Sequence, residues 1–183
     1  PDPALAYTYF NMEDPVVGGY TPEKVALRRA ISLGMDIERD IRIVRRGQAV
    51  PAQSIIVPHT IGYDPKFKSE NGDFDPVRAK ALLDVYGYVD KDGDGWRDLP
   101  DGKPFALQIA SSISAFDRQL DELWKKSLTA LGIRIDFVKQ KFPDLLKQAR
   151  AGQLQMWGLA NTAGSPPGFG VMGLLYGPNA GLS

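Results

Sequence analysis

An α/β fold with a mainly parallel sheet flanked by helices is predicted by three observations in the second half of this chain. Phe105–Ala110, Ile133–Val138 and Leu154–Leu159 are short apolar runs, the first two alternating with period two, as strands do. Between them, Phe116, Leu120, Leu123, Trp124, Leu128 and Leu131 recur at helical spacing, and Pro143 opens a second helical run through Ala149. Glycines Gly132 and Gly152 close the two helices. The order is therefore β-α-β-α-β, and strands joined by helices favour parallel, right-handed connections in a three-layer arrangement.

The remaining elements follow in chain order. Tyr7–Met12 is aromatic and β-branched and reads as a strand, followed by a loop from Asp14 to Tyr20. Thr21 then Pro22 is an N-cap followed by proline at the first helical position, and that helix ends near Gly34. Asp36 caps a second helix with Ile37, Ile41 and Val44 on one face and Gly47 after it. Residues 49–71 carry Pro51, Pro58, Gly62 and Pro65 without periodicity, a long surface connection of the kind that is functional or disordered. Asp75-Pro76 opens a third helix with Val77, Ala81, Leu82 and Val85 expected inward, and Gly87 closes it. Residues 90–103 read as a turn-rich hairpin.

Composition narrows the function. At 183 residues, with 43% hydrophobic and 24% charged residues, the chain is one domain able to bury a core. Lysine plus arginine and aspartate plus glutamate both number 22, so no basic face is expected and nucleic acid is not an expected partner. No apolar run is long enough to span a membrane. With no cysteine, disulfides and thiol chemistry are excluded; with a single histidine, His59, so is any site needing two. No Gly-x-Ser-x-Gly elbow is present and no triad order suits His59, so a hydrolase is disfavoured and no catalytic residue or cofactor is expected. The start at Pro1-Asp2-Pro3 and the end at Gly181-Leu182-Ser183 read as a fragment of a longer protein.

Two stretches carry chemistry. Asp90, Asp92, Asp94, Asp98 and Asp101 stand at positions 1, 3, 5, 9 and 12 of a calcium-loop pattern with Gly95 at position 6. Asp101 is short for the bidentate last position, and Pro100, Gly102 and Pro104 forbid an exit helix, so an acidic hairpin competes with a calcium-stabilised interaction module. The second stretch follows the last strand, where residues 161–168 form a loop at a strand's carboxyl end, the usual ligand position in open α/β sheets. Trp157 reads as core or as an aromatic wall for a ligand, and Asn161, Thr162 and Ser165 as neutral hydrogen-bonding groups. With Asn11 at the end of the first strand and His59 in the proline-rich loop, they form the expected ligand-binding set.

Val25-Ala26-Leu27-Arg28-Arg29-Ala30-Ile31-Ser32-Leu33-Gly34-Met35-Asp36, Gly62-Tyr63-Asp64-Pro65, Asp75-Pro76-Val77-Arg78-Ala79-Lys80-Ala81-Leu82-Leu83 and Asp90-Lys91-Asp92-Gly93-Asp94-Gly95-Trp96-Arg97 occur in a fixed order. Leu123-Trp124-Lys125-Lys126-Ser127-Leu128, Gly132-Ile133 and Leu175-Tyr176-Gly177-Pro178-Asn179-Ala180-Gly181 extend the series. Together, from Tyr9 to Gly181, the chain resembles the C-terminal lobe of family 5 extracellular solute-binding proteins of ABC transporters, the dipeptide-, oligopeptide- and nickel-binding group. The resemblance implies one lobe of a type II periplasmic binding protein spanning residues 1–183, exported to the periplasm or cell envelope. It implies a missing N-terminal lobe and ABC permease subunits as partners, a small solute as ligand, and no enzymatic activity. Peptide-binding members of that family carry a tryptophan and then an aspartate after the last strand. Aligned on the following prolines, this chain has Asn161 and Gly164 there. The acidic anchor for a peptide ammonium is missing in that alignment, which leaves peptide-, opine- and sugar-like solutes all open.

Overall fold

A computed structural model describes residues 4–162 together with Gly173, Tyr176 and Pro178. The elements are β1 (Ala4–Phe10), α1 (Pro22–Gly34), α2 (Ile37–Arg39) running into a π-helical turn (Asp40–Val44), α3 (Pro76–Val85), β2 (Ala106–Ser111), α4 (Ala115–Leu131), β3 (Arg134–Lys139), α5 (Phe142–Arg150) and β4 (Met156–Thr162). A 3-10 turn at Glu70–Gly72 lies in the long connection before α3.

The caps follow from residue chemistry. The side chains of Asp36, Asp75 and Ser114 accept from the backbone N–H three residues on, at 2.9, 2.9 and 3.0 Å. Thr21 precedes Pro22 without a side-chain cap bond. Gly132 ends α4 with φ of 78°, a left-handed conformation that a Cβ would strain.

The sheet order is β1-β4-β2-β3. β2 pairs parallel with β3 and with β4, whereas β1 pairs antiparallel with β4. The β-α-β-α-β half is thus parallel as expected, and β1 adds one antiparallel edge. Alternation along β4 separates two cores. Met156 faces a large cluster with Leu27 and Ile31 of α1, Leu83 of α3, and Leu128 and Leu131 of α4. Trp157 faces the other side, with Ala110, Leu145 and Leu154, and with Leu146 and Ala149 against them. Helices therefore lie on both faces of the sheet, giving three layers.

Two sequence expectations change. Val77 and Val85 of α3 are each 78% exposed, and Ala81 is exposed; Ala79 and Leu83 are buried instead, with Leu82 partly so. α3 carries apolar residues on two faces, and periodicity alone cannot choose between them. The last strand also continues through Asn161 and Thr162, which lie on β4 and not in a loop. Of the hairpin expected over 90–103, only residues 98–104 form one, closed by a bridge between Asp98 and Pro104 and a 2.9 Å bond from Leu99 N to Lys103 O, while residues 91–96 are bends.

Candidate functional site

The strands β2, β3 and β4 finish at one end of the sheet, and β4 runs furthest. Its last pairing with β2 is Trp157 with Ala110; Gly158 to Thr162 pair with β1 alone. Because β1 is antiparallel, its start lies at this same end, with Leu5 opposite Asn161 and Ala4 opposite Thr162. Leu5, Tyr7 and Tyr9 share one face with Trp157, Leu159 and Asn161, since partners in register point to the same side.

The long connection covers part of that face. Val57, buried, packs against Leu5, with Tyr7, Ala52 and Ile55 around them. Thr60 Oγ1 donates to Val57 O at 2.7 Å and holds the turn that carries His59. His59 is exposed and adopts φ of 69°, unusual for a residue with a Cβ. On the strands, Asn161 Nδ2 donates to the Tyr7 hydroxyl at 3.1 Å. Burial, and secondarily the neighbouring Tyr7, push the Tyr9 phenol above its ordinary pKa, so Tyr9 is a neutral hydrogen-bonding group.

The structure therefore gathers Asn161, Thr162 and the His59 turn at one end. It does not gather the rest. Asn11 follows the far end of β1, where its Nδ2 donates to Gly152 O at 3.1 Å and its Oδ1 accepts from Glu13 N at 3.0 Å. Its backbone N–H donates to Gln155 O, and seven residue steps separate that level from Thr162, about 23 Å at the strand rise. The antiparallel direction of β1 is the reason, and it removes Asn11 from this end. Trp157 is 4% exposed, tilted against Phe142 with ring centroids 5.5 Å apart, and so packs α5 onto the sheet rather than walling an open site. Ser165 lies outside the described residues. Sequence reasoning passed over Tyr7 and Tyr9; the signal for them was the alternation Leu5-x-Tyr7-x-Tyr9 in the first strand.

The acidic stretch is arranged differently from a calcium loop. Carboxylate oxygens of Asp90, Asp92 and Asp98 lie within 4.8 Å of one another. Asp94 instead pairs with Arg134, and Asp101 pairs with Lys103 at 3.1 Å. Asp90 accepts from Gly93 N at 2.7 Å and Gly95 N at 2.9 Å, and buried Asp98 accepts from Lys91 N at 2.8 Å. Two of the five carboxylates of the calcium pattern thus pair with cations, while Asp90, Asp92 and Asp98 stand close enough to share an ion and accept from backbone N–H groups of the turn.

The whole chain, residues 1–183, matches the profile of the bacterial extracellular solute-binding proteins, family 5, middle region. It is 30% identical over 132 residues to Di/tripeptide-binding protein 2 of Pseudomonas aeruginosa (strain UCBPP-PA14), covering 71% of this chain and 22% of that protein. It is 26% identical over 150 residues to the Dipeptide-binding protein of Escherichia coli (strain K12), covering 80% and 26%. It thus spans about a quarter of the length of these curated relatives. Among solved structures, an oligopeptide-binding protein OppA superposes with a TM-score of 0.74 at 24% identity, over 88% of this chain and 26% of that one. The mixed α/β fold is that of type II periplasmic binding proteins, and the chain belongs to the family 5 bacterial extracellular solute-binding proteins.

Proposed function

We propose that residues 1–183 form one lobe of the substrate-binding component of an ABC-type importer, which takes up a small solute outside the cytoplasmic membrane and hands it to the permease. The match to the family over all 183 residues carries this reading. Two relatives are named for dipeptides or tripeptides, which favours a solute of peptide-like size. In this reading the protein works by binding and closure, without chemistry on the solute.

The site we assign is the end of the sheet where β1 starts and β4 finishes. Asn161 and Tyr7 supply hydrogen-bonding groups on one face, Thr162 supplies another on the opposite face of the same strand end, the His59 turn forms one rim, and Ser165 follows in the chain. A second lobe, from residues outside this sequence, would close over them, burying the solute between two rigid bodies. The closed shape is what the permease subunits would recognise.

Titration calorimetry and thermal shift on the full-length protein test this. A panel of dipeptides, tripeptides, opines and oligosaccharides should contain a solute that raises Tm by several degrees, as a ligand far above its Kd does. Deleting the gene should abolish uptake of that solute. If no member of the panel changes Tm and uptake of all of them survives deletion, the receptor reading fails.

A further inference from the structure

The charged residues of this chain are unevenly placed. Four stretches, 3–12, 47–63, 104–116 and 151–183, contain no Asp, Glu, Lys or Arg. With 24% charged residues overall, ten neutral residues in a row are common, whereas a run as long as 151–183 is not. The stretches are far apart in sequence, yet the fold joins them. The first contains β1, the second the Val57 loop, the third β2 and the fourth β4; β4 pairs with both β1 and β2, and Val57 packs on Leu5.

The surface they make has a definite chemistry. Tyr7, Tyr9, Leu159 and Asn161 share one face of the β1–β4 pair and are partly exposed. The Tyr7 hydroxyl accepts from Asn161 Nδ2. That leaves the Tyr7 phenolic proton, the Asn161 carbonyl and the Tyr9 hydroxyl without a partner among the described residues. These are neutral donors and acceptors set among aromatic and aliphatic groups, a combination that orients amides, hydroxyls and ring faces. An ammonium or carboxylate brought onto it would lose hydration and meet no counter-charge from these segments, which is unfavourable.

We propose that the solute presents an uncharged end to this surface, and that the surface discriminates against an ionised terminus there. The proposal rests on the reading of the chain as a solute-receptor lobe and narrows what that receptor takes. Neutral hydrogen bonds and aromatic contact hold the solute at this end, so recognition here is by shape and donor–acceptor pattern, not by ion pairing.

The test is calorimetry on the full-length protein with three probes: zwitterionic Ala-Leu-Ala, the same tripeptide acetylated and amidated, and maltotriose. An uncharged probe should bind at least tenfold tighter than the zwitterion. Asn161→Asp should shift that ratio at least tenfold towards the zwitterion, because it places a carboxylate beside the incoming ammonium. Tyr9→Phe, which keeps the ring and removes the hydroxyl, should weaken the uncharged probe several-fold while leaving Tm close to wild type. Which uncharged probe binds separates a blocked peptide from a saccharide. Tenfold tighter binding of the zwitterion to the wild-type protein overturns the proposal and leaves the receptor reading standing. So does uncharged-probe binding that neither substitution changes. Failure of all three probes to bind removes the proposal together with a receptor for solutes of this size.

Discussion

Single side chains show how little freedom the core leaves. Tyr88 is fully buried, and its hydroxyl donates to Glu23 O at 3.2 Å. Burial pushes its phenol up from 10.0 to about 12. Below pH 10 the phenol is neutral folded or unfolded, so its contribution to stability is complete there. Between 10 and about 12 the unfolded chain releases the proton while the native state keeps it, so stability falls with rising pH across that window. Urea midpoints measured over this range should decline, and Tyr88→Phe should flatten part of the decline while costing about 1 kcal/mol at neutral pH for the lost hydrogen bond. Gly34 is a second case. A Cβ there would sit 2.4 Å from Leu131 Cδ1, and Leu131 is itself 1% exposed. Gly34→Ala should therefore destabilise by about 1–3 kcal/mol through overpacking, read as a lower urea midpoint at unchanged slope. Gly34 was legible as a helix terminus. Its second role, letting α1 approach α4, depends on a contact across 97 residues that no local pattern encodes.

Among elements, those whose signals are local were legible and those whose partners are distant were not. β2, α4, β3, α5 and β4 follow from alternation, helical spacing and terminal glycines within their own segments. The π-helical turn after α2 and the outward placement of Val77 and Val85 were not legible, because each depends on what packs against the helix. One arginine illustrates such a distant tie. Arg97, just past the acidic turn, donates to Leu131 O at 2.6 Å, Tyr88 O at 2.5 Å and Asp84 Oδ1 at 2.5 Å. It joins the end of α4 to the segment after α3, and its side chain is 13% exposed. Arg97→Leu should cost about 2–4 kcal/mol, because two buried carbonyls lose charge-assisted bonds. Asp84→Asn should cost less than about 1 kcal/mol, because that carboxylate is mostly in solvent. Equal losses from both variants in urea melts would show that the ion pair, not the carbonyl contacts, does the holding.

At the level of the whole molecule, the sheet decides which candidate residues meet. The direction of β1 was not written in its own sequence, because a strand reads the same in either orientation. Its antiparallel pairing with β4, across more than 140 residues, separated Asn11 from Asn161 and brought Tyr7 to Asn161 instead. The neutral stretches that hold β1, β2 and β4 meet in the sheet, and their common chemistry appears only once the strand order is known. The pairing of Ala4 with Thr162 has a practical consequence. Ala4 and Thr162 stand about 5 Å apart, one strand spacing, although 158 residues separate them in the chain. Strain at either position is therefore felt at the other, because one rung of the ladder holds both.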